Sequence, residues 1–589
     1  MIDSIRNVAI IAHVDHGKTT LVDQLFKQSG LFRDNQHVEE RLMDSMDLEK
    51  ERGITIQAKN GAFRYQDTHI NIIDTPGHAD FGGEVERVLK MADGALFLVD
   101  AQEGPMPQSH FVLKKAIAQS IPLIVVINKI DKPSARPDWV LNQVFDLMVQ
   151  LDAPDDMLDF PVIYASAKNG WASLSLDESS DTMKPLYDLM IQALPQPQFS
   201  SDVALQLLVS TISYSPFLGR SAIGKLTGGH LKINQPVAIS TGMDSALRPG
   251  RISKIHIFKG NDFEEVASAS AGQIVAISGI QDITVGETVV DPNDPQPLPM
   301  AAIDPPTISV AFLPNDSPFA GKEGEFVTTR QLKDRLVRET LSDIALQVSD
   351  SDTGIGYKVS GRGELHLSIL IEKMRREGYE FQVSRPKVIF QTIDDKKHEP
   401  YEMVTITVDD SLGGKIIESM AERKGQMVDM VQEGGQIQYQ FKTPTRGLLG
   451  YQSLFMKLTK GLGTLYSTFD SYQPFSGDIR SRQRGVLVSK ETCETVAYAL
   501  SNLQERAELF LGPGISVYKG QIVGLNSRED DMVVNVAKSK KLTNMRAAGS
   551  DDNVLLTPPT VMSLEECLSF INDDELIEIT PKTIRLRKR

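Results

Sequence analysis

The chain has 589 residues, which is too long for one hydrophobic core and predicts roughly four or five domains. Its formal net charge of −16 argues against a protein that coats nucleic acid in general, but it does not exclude local basic patches. Cys493 and Cys567 lack metal-site spacing and cannot build a disulfide framework, which fits a reducing compartment. Residues 1–6 do not read as a signal peptide and no apolar run is long enough to cross a bilayer, so we expect a cytoplasmic protein without a membrane partner.

A phosphate-binding loop is predicted almost at the N-terminus, over residues 12–20 (AHVDHGKTT), between a short apolar strand and a helix. A loop in this position directs backbone N–H groups and the positive end of the helix dipole at one anion. Gly17 lets the backbone approach the phosphates, Lys18 reaches the β and γ oxygens, and Thr19 is placed to hold Mg²⁺. Ala12 departs from the general pattern, which begins with glycine. The predicted phosphate-binding residues are Asp15, His16, Gly17, Lys18, Thr19 and Thr20.

Two further segments are suited to Mg²⁺ and to the γ-phosphate. An apolar strand over residues 70–74 ends in Asp74, at the edge where open α/β sheets bind ligands, and Asp74 can hold Mg²⁺ through water. The amide of Gly77, in the turn that follows, can sense a γ-phosphate. Thr55, in the run RGITI, is a candidate Mg²⁺ ligand that orders a switch loop only while the γ-phosphate is present.

Two later strands end in residues suited to a guanine base. The strand over residues 123–127 is followed by NKID, and the carboxylate of Asp131 can accept hydrogen bonds from guanine N1 and N2. Adenine would leave that carboxylate unpaired, so Asp131 selects GTP over ATP. The segment SAK follows the strand over residues 162–165 and would close over the base from the other side. The predicted base-binding residues are Asn128, Lys129, Asp131, Ser166, Ala167 and Lys168.

The order AHVDHGKTT, RGITI, DTPGH, NKID and SAK resembles the G domain of the translational GTPases, which include elongation factors Tu and G, initiation factor 2 and LepA. Ala12 matches the elongation factor G and LepA branch. The resemblance implies that His78 orients the attacking water, and that Lys18 is the second catalytic residue. No arginine finger is evident in the sequence, so we expect slow intrinsic hydrolysis. The resemblance implies activation by the ribosome through its sarcin–ricin loop.

The remaining chain predicts a multidomain fold of α/β and β class. A β-barrel is expected after the P-loop GTPase domain, because short strands separated by glycine-rich turns replace the strand–helix alternation. A βαββαβ pattern over residues 305–386 then predicts a ferredoxin-like α+β domain that resembles the third domain of elongation factor G. Residues 401–472, with the order strand, helix, strand, helix and strand, are expected to form a second unit of the same type that resembles its fifth domain. Elongation factor G carries a whole domain between those two, and here residues 387–400 are expected to be merely a linker. The expected domains are 1–200 (GTPase), 201–303 (barrel), 304–386 and 398–475 (ferredoxin-like), and 476–589 (mostly β, RNA-binding).

Basic residues concentrate in three places in the C-terminal domain, at 480–484, 538–546 and 582–589, and each can be a solvated face or a phosphate contact. With this segment included, the domain plan resembles the BipA/TypA family of ribosome-associated GTPases over the full length. That resemblance implies a monomer that uses GTP/GDP and Mg²⁺ and binds the factor site between both ribosomal subunits in the GTP state. It also implies a role in large-subunit assembly or stress-adapted translation, with a loop reaching the acceptor end of A-site tRNA. The RNA contacts carried over are Lys538, Lys540, Lys541 and Arg546.

Two other functions compete with this interpretation. A metabolic P-loop enzyme, such as the GTPase subunit of ATP sulfurylase, shares the G domain and the barrel but lacks both ferredoxin-like units. An RNA-binding scaffold with a vestigial nucleotide site is the second, and the intact set of Lys18, Thr19, Asp74 and His78 argues against it.

Overall fold

The computed structural model divides into two compact units, Met1–Asp304 and Pro305–Arg589. Among the described residues, no helix combines the length and apolarity that a membrane crossing requires. The described residues are 4–13, 15–31, 47–52, 55, 58–76, 82–178, 180–197, 203–215, 219–242, 246–299, 305–343, 345–351, 354–433, 435–461, 463–479, 482–538 and 555–589.

The first unit begins with a seven-stranded sheet of order β2-β3-β1-β4-β5-β6-β7, parallel except at its two edge pairs. Alternate residues of the first strand enter two separate cores, Ala9 and Ile11 on one face and Val8 and Ile10 on the other. Burial of both faces explains why the central strands are continuous apolar runs. The strands are β1 (Ser4–Ala12), β2 (Lys59–Tyr65), β3 (Thr68–Asp74), β4 (Gly94–Asp100), β5 (Leu123–Asn128), β6 (Val162–Ser166) and β7 (Trp171–Ser173). The helices are α1 (Lys18–Gln28), α2 (Asp47–Arg52), α3 (Gly82–Leu89), α4 (Pro107–Ala118), α5 (Pro137–Gln150), α6 (Asp155–Leu158) and α7 (Lys184–Ala193).

The barrel domain follows in the same unit and contains no helix in its described part. Eight antiparallel strands have the order β12-β11-β17-β8-β9-β16-β13-β14, and β10 pairs with β15. The strands are β8 (Gln206–Ser215), β9 (Gly219–Gly228), β10 (His230–Lys232), β11 (Pro236–Ser240), β12 (Arg248–Arg251), β13 (Lys254–Lys259), β14 (Asp262–Val266), β15 (Ser268–Ser270), β16 (Ile274–Ser278) and β17 (Thr288–Val290).

The GTPase-like sheet and the barrel share contacts inside this unit. Ala62 of β2 and Gly260 exchange two backbone hydrogen bonds, with N···O distances of 3.0 and 2.6 Å. The Asn7 side chain donates to the Asp93 carboxylate at 2.7 Å and to the Gly272 carbonyl at 3.0 Å. Hydrophobic barrel residues also join the core beneath β1 and β4.

The second unit begins with a βαββαβ element whose strands have the order β19-β20-β18-β21, all antiparallel. This is the predicted ferredoxin-like order. Thr328 and Gln331 form a capping box at the start of the first helix, which fixes where the chain turns helical. The elements are β18 (Ile308–Pro314), α8 (Thr329–Ser342), β19 (Gln347–Asp350), β20 (Tyr357–Gly361), α9 (Glu364–Arg376) and β21 (Phe381–Ser384).

A second ferredoxin-like element follows, with the strand order β27-β24-β26-β25. Its strands and helices are β24 (Lys396–Asp409), α10 (Gly413–Glu422), β25 (Gln426–Glu433), β26 (Gln436–Pro444), α11 (Thr445–Leu448), α12 (Tyr451–Thr459) and β27 (Thr464–Pro474). The prediction that residues 387–400 are merely a linker is wrong, because they contain β22 (Lys387–Val388), β23 (Gln391–Ile393) and the start of β24. Asp394 and Asp395 both have positive φ angles, 50° and 59°, as a two-residue hairpin turn requires.

The C-terminal segment is mostly β, as predicted, but its last hairpin belongs to another sheet. Strands β28, β30, β32 and β33 form a sheet of their own, whereas β34 pairs with β21 and extends the first ferredoxin-like sheet. The elements are β28 (Val486–Ser489), β29 (Cys493–Glu494), α13 (Ala497–Gln504), β30 (Ala507–Leu509), β31 (Ser516–Val517), β32 (Ile522–Asn526), β33 (Met532–Val534), α14 (Leu564–Phe570), β34 (Glu575–Ile579) and β35 (Ile584–Lys588).

The basic residues of strand β35 are paired inside the chain. Arg587 contacts Asp316 at 2.6 Å, and the Lys588 ammonium lies 2.8 Å from Asp574 and 3.0 Å from Glu575. Carboxylates of the chain itself therefore neutralise these cations. Arg587 and Lys588 are therefore committed to contacts within the chain, which disfavours a phosphate contact for these two members of the 582–589 cluster.

Candidate functional site

The phosphate loop lies between β1 and α1, as predicted. Gly17 has a φ of 94°, and a Cβ there would collide with the Asn128 side-chain nitrogen, so only glycine fits. The helix begins at Lys18, which directs its first N–H groups at the loop. Thr19 is half-buried, while Asp15 and Thr20 are exposed.

The ring of His16 is fully buried instead of facing an anion. Its Nδ1 lies 3.3 Å from the Leu98 carbonyl oxygen, and its Nε2 lies 3.8 Å from a Glu103 carboxylate oxygen. Burial lowers the pKa of His16 to about 4, so the ring is neutral at neutral pH. The imidazole therefore packs the loop against β4, and only the backbone of His16 is left to face a phosphate.

Three predicted phosphate and metal residues lie in one cluster at the end of β3. The Lys18 ammonium lies 2.9 Å from the Asp74 carboxylate and donates to the Thr75 carbonyl at 2.6 Å. The Thr55 hydroxyl donates to the other Asp74 oxygen at 3.3 Å, and both side chains are buried. The structure therefore brings Lys18, Thr55 and Asp74 together.

The donor set of this cluster fits Mg²⁺. Among the described residues there is no group of three or more histidine, cysteine or acidic side chains that could hold a metal. Mg²⁺ needs no such cage, because it binds proteins through one or two oxygen ligands and completes its octahedron with phosphate and water. The oxygens of Asp74 and Thr55 meet that requirement, and Thr19, the other predicted ligand, follows Lys18 in the first turn of α1.

The predicted base-binding segments meet at the other end of the site. The Asn128 amide donates to the His16 carbonyl at 2.8 Å, and its oxygen accepts from the Ala167 N–H at 2.9 Å. One side chain thereby joins the phosphate loop to both base-binding segments. The Ser166 hydroxyl donates to the Asp131 carboxylate at 2.6 Å, and Asp131 remains exposed.

Lys129 links the same segments through a residue that the motifs did not indicate. Its ammonium donates to the Asp15 carbonyl and lies 2.8 Å from the carboxylate of Asp100, the last residue of β4. Lys132 contacts the same carboxylate at 3.2 Å. A signal was present in the sequence, since Asp100 ends a buried parallel strand as Asp74 does and so reaches the same sheet edge.

Some of the predicted site residues lie outside the described part of the chain, and two others are exposed to solvent. Gly77, His78, Lys540, Lys541 and Arg546 lie outside the described residues. Lys538 and Lys168 are described and exposed.

Four family models match separate parts of the chain, in order along the sequence. The Elongation factor Tu GTP binding domain matches residues 3–196, and Elongation factor Tu domain 2 matches residues 219–290. The Elongation factor G C-terminus matches residues 396–483, and the TypA/BipA C-terminal domain matches residues 484–589.

Full-length relatives agree with these models. The Large ribosomal subunit assembly factor BipA of Salmonella typhimurium (strain LT2) is 51% identical over 591 residues, which is 100% of this chain and 97% of the relative. Its counterpart in Bacillus subtilis (strain 168) is 50% identical over 589 residues, covering 100% and 96%. A solved structure of a Thermus thermophilus protein covers 80% of this chain and 97% of its own, with a TM-score of 0.57 at 17% identity, which is a similarity of fold alone. The chain belongs to the TypA/BipA family of translational GTPases.

Proposed function

We propose that the chain binds GTP and GDP with Mg²⁺ along the strand-end edge of its N-terminal sheet and hydrolyses GTP. The observation that carries this is the Asn128 side chain, which joins the phosphate loop at His16 to the base-binding segment at Ala167. Because Asn128 already connects the phosphate-binding and base-binding halves of the site, binding a nucleotide requires little further ordering of these loops.

The phosphate end supplies charge and metal ligands. The Lys18 ammonium exchanges its contact with Asp74 for the β- and γ-phosphate oxygens, and the loop amides and the α1 N-terminus neutralise the remaining charge. Thr19, Thr55 and Asp74 hold Mg²⁺, Asp74 through water. When bound there, Mg²⁺ would supply charge neutralisation to the phosphate oxygens.

The base end supplies selectivity. Asp131 accepts from guanine N1 and N2, and the Ser166 hydroxyl, bonded to the same carboxylate at 2.6 Å, fixes its orientation. Ala167 and Lys168 close over the base from the other side. The Asp131 side chain is exposed, so an incoming base can reach it.

Hydrolysis is assigned to water that attacks the γ-phosphorus in line, oriented by His78. Gly77 senses the γ-phosphate, and its presence orders the segments around Thr55 and Gly77, so the GTP and GDP forms differ in shape. Positioning and charge neutralisation supply most of the rate enhancement.

The ribosome is the partner that we propose. Relatives 50 and 51% identical over the whole chain are named large ribosomal subunit assembly factors. In the GTP state the chain would bind the factor site between both subunits, and the sarcin–ricin loop would stimulate its GTP hydrolysis. It would act in the cytoplasm as a monomer, in subunit assembly or stress-adapted translation. Lys538, Lys540, Lys541 and Arg546 would contact RNA near the acceptor end of A-site tRNA. The two ferredoxin-like elements disfavour the sulfurylase-type alternative, which lacks them.

The test measures GTP hydrolysis by the purified chain with and without ribosomes. We expect slow turnover alone and strong stimulation by ribosomes, which His78→Ala abolishes while GDP affinity is kept. Unchanged stimulated turnover in His78→Ala would favour a scaffold with a vestigial site. Stimulation by a sulfurylase partner subunit in place of ribosomes would favour the metabolic enzyme.

A further inference from the structure

Asp100, at the end of β4, has a completely buried carboxylate with both oxygens in use. One oxygen accepts from the Gln102 N–H at 2.7 Å and the Glu103 N–H at 3.4 Å. The other lies 2.8 Å from the Lys129 ammonium and 3.2 Å from the Lys132 ammonium. With every acceptor position committed, Asp100 has no free lone pair to offer to a nucleotide, so it acts only through its partners.

Lys129 is the partner that reaches the nucleotide site. It has a positive φ of 62°, an uncommon backbone conformation for a lysine, and it lies two residues before Asp131. Its ammonium also donates to the Asp15 carbonyl of the phosphate loop. A single ammonium thus joins β4, the phosphate loop and the base-binding segment, beside the separate link that Asn128 makes to His16.

The Asp100 carboxylate is ionised at neutral pH. Burial alone would raise the pKa of Asp100, but hydrogen bonds from Lys129 and from the Gln102 amide outweigh it and hold the pKa at about 2. Without this anion, the Lys129 ammonium has no counter-charge. Its desolvation is then uncompensated, which favours a conformation in which the ammonium is hydrated by solvent.

We propose that Asp100 is a positioning residue for guanine-nucleotide binding, which holds Lys129 across the phosphate loop so that both halves of the site are formed before the nucleotide arrives. The inference rests on the proposed function, because it assumes that guanine nucleotide binds at this edge. It separates two properties of the site: Asp100 sets how tightly any such nucleotide is held, and Asp131 sets which base is chosen.

The experiment titrates the full-length chain with fluorescent GDP and with a non-hydrolysable GTP analogue. Asp100→Asn keeps an oxygen for the Gln102 N–H but removes the charge, and we expect both affinities to fall about tenfold. The preference for guanine over xanthine nucleotides stays as in the unmodified chain. The affinity of Lys129→Met falls by a similar factor. The double variant binds no more weakly than Lys129→Met alone, because Asp100 acts only through Lys129.

Asp93→Asn is the matched control. Asp93 also carries a partly buried ion pair in this unit, with Lys225, and it accepts from Asn7 at 2.7 Å, but it lies at the barrel contact. We expect its nucleotide affinity to be unchanged. An equal loss in Asp93→Asn would mean that any broken ion pair loosens the unit, and would overturn the proposal.

Two other results would also overturn it: GDP affinity of Asp100→Asn within twofold of the unmodified chain, or additive losses in the double variant. Should Asp100→Asn fail to fold, Lys129→Met decides alone, and unmodified affinity in that variant refutes the positioning role. Failure of the unmodified chain to bind guanine nucleotides is a different outcome, and it refutes the proposed function itself.

Discussion

Replacing Asp131 by asparagine tests how the base is chosen. The carboxylate is exposed and held from one side by the Ser166 hydroxyl at 2.6 Å, a contact that an asparagine oxygen also accepts. The variant should therefore fold normally and lose only its contacts with the base. Two hydrogen bonds to a charged acceptor, at about 1.5–3 kcal/mol each, are replaced by one neutral bond and one opposed donor. A net loss of about 3–4 kcal/mol corresponds to a several-hundredfold fall in GTP affinity.

The same change should improve binding of XTP, since xanthine presents a carbonyl oxygen where guanine presents its amino group. The assay is competition of GTP, XTP and ATP against a fluorescent guanine nucleotide, with Asp159→Asn, an exposed carboxylate of the same domain, as the control. Retained GTP selectivity in Asp131→Asn would refute the assignment of Asp131. A loss of all nucleotide binding would show instead that the residue supports the fold of the site.

Two further predictions concern the ribosome and pH. Replacing Lys538, Lys540 and Lys541 together by glutamine should weaken ribosome binding and reduce the slope of log affinity against log salt by about 2–3, measured by sedimentation at several salt concentrations; an unchanged slope would exclude these lysines as phosphate contacts. Burial lowers the pKa of His16 to about 4, so between pH 6.5 and pH 4 the unfolded chain is protonated at His16 while the folded chain is not. The free energy of unfolding should therefore fall by about 3 kcal/mol as the pH drops through this range. Calorimetry of His16→Asn should show a smaller fall in transition temperature between pH 7 and pH 5, whereas the exposed control His230→Asn should behave as the unmodified chain.

Local sequence was sufficient where a strand, a turn and a functional residue are adjacent. The apolar runs before Asp74 and Asn128 predicted parallel strands. The carboxyl ends of such strands share one edge of the sheet, so the placement of both residues along that edge followed from topology. The two ferredoxin-like elements were predictable for a similar reason, since their strand–helix order allows few arrangements.

Features that depend on distant partners were not predictable in this way. The Asp394–Asp395 hairpin lacks the asparagine–glycine signal of a tight turn, so the segment resembled a linker. The burial of the His16 ring depends on Leu98 and Glu103, and nothing next to it in sequence indicates either. In the sequence, Asp100 resembled only the end of a core strand. Its role depends on Lys129 and Lys132, which contact it only in the folded chain.

The pairing of β34 with β21 determines when the first ferredoxin-like sheet can be completed. Ser384 pairs with Leu576, so during translation the nascent chain carries the β21 edge without its partner while nearly all of the later residues are still being added. An open strand edge of this kind invites pairing with other chains. Products of premature termination would keep that edge permanently, which would make them aggregate or attract quality control more readily than their loss of a terminal hairpin suggests.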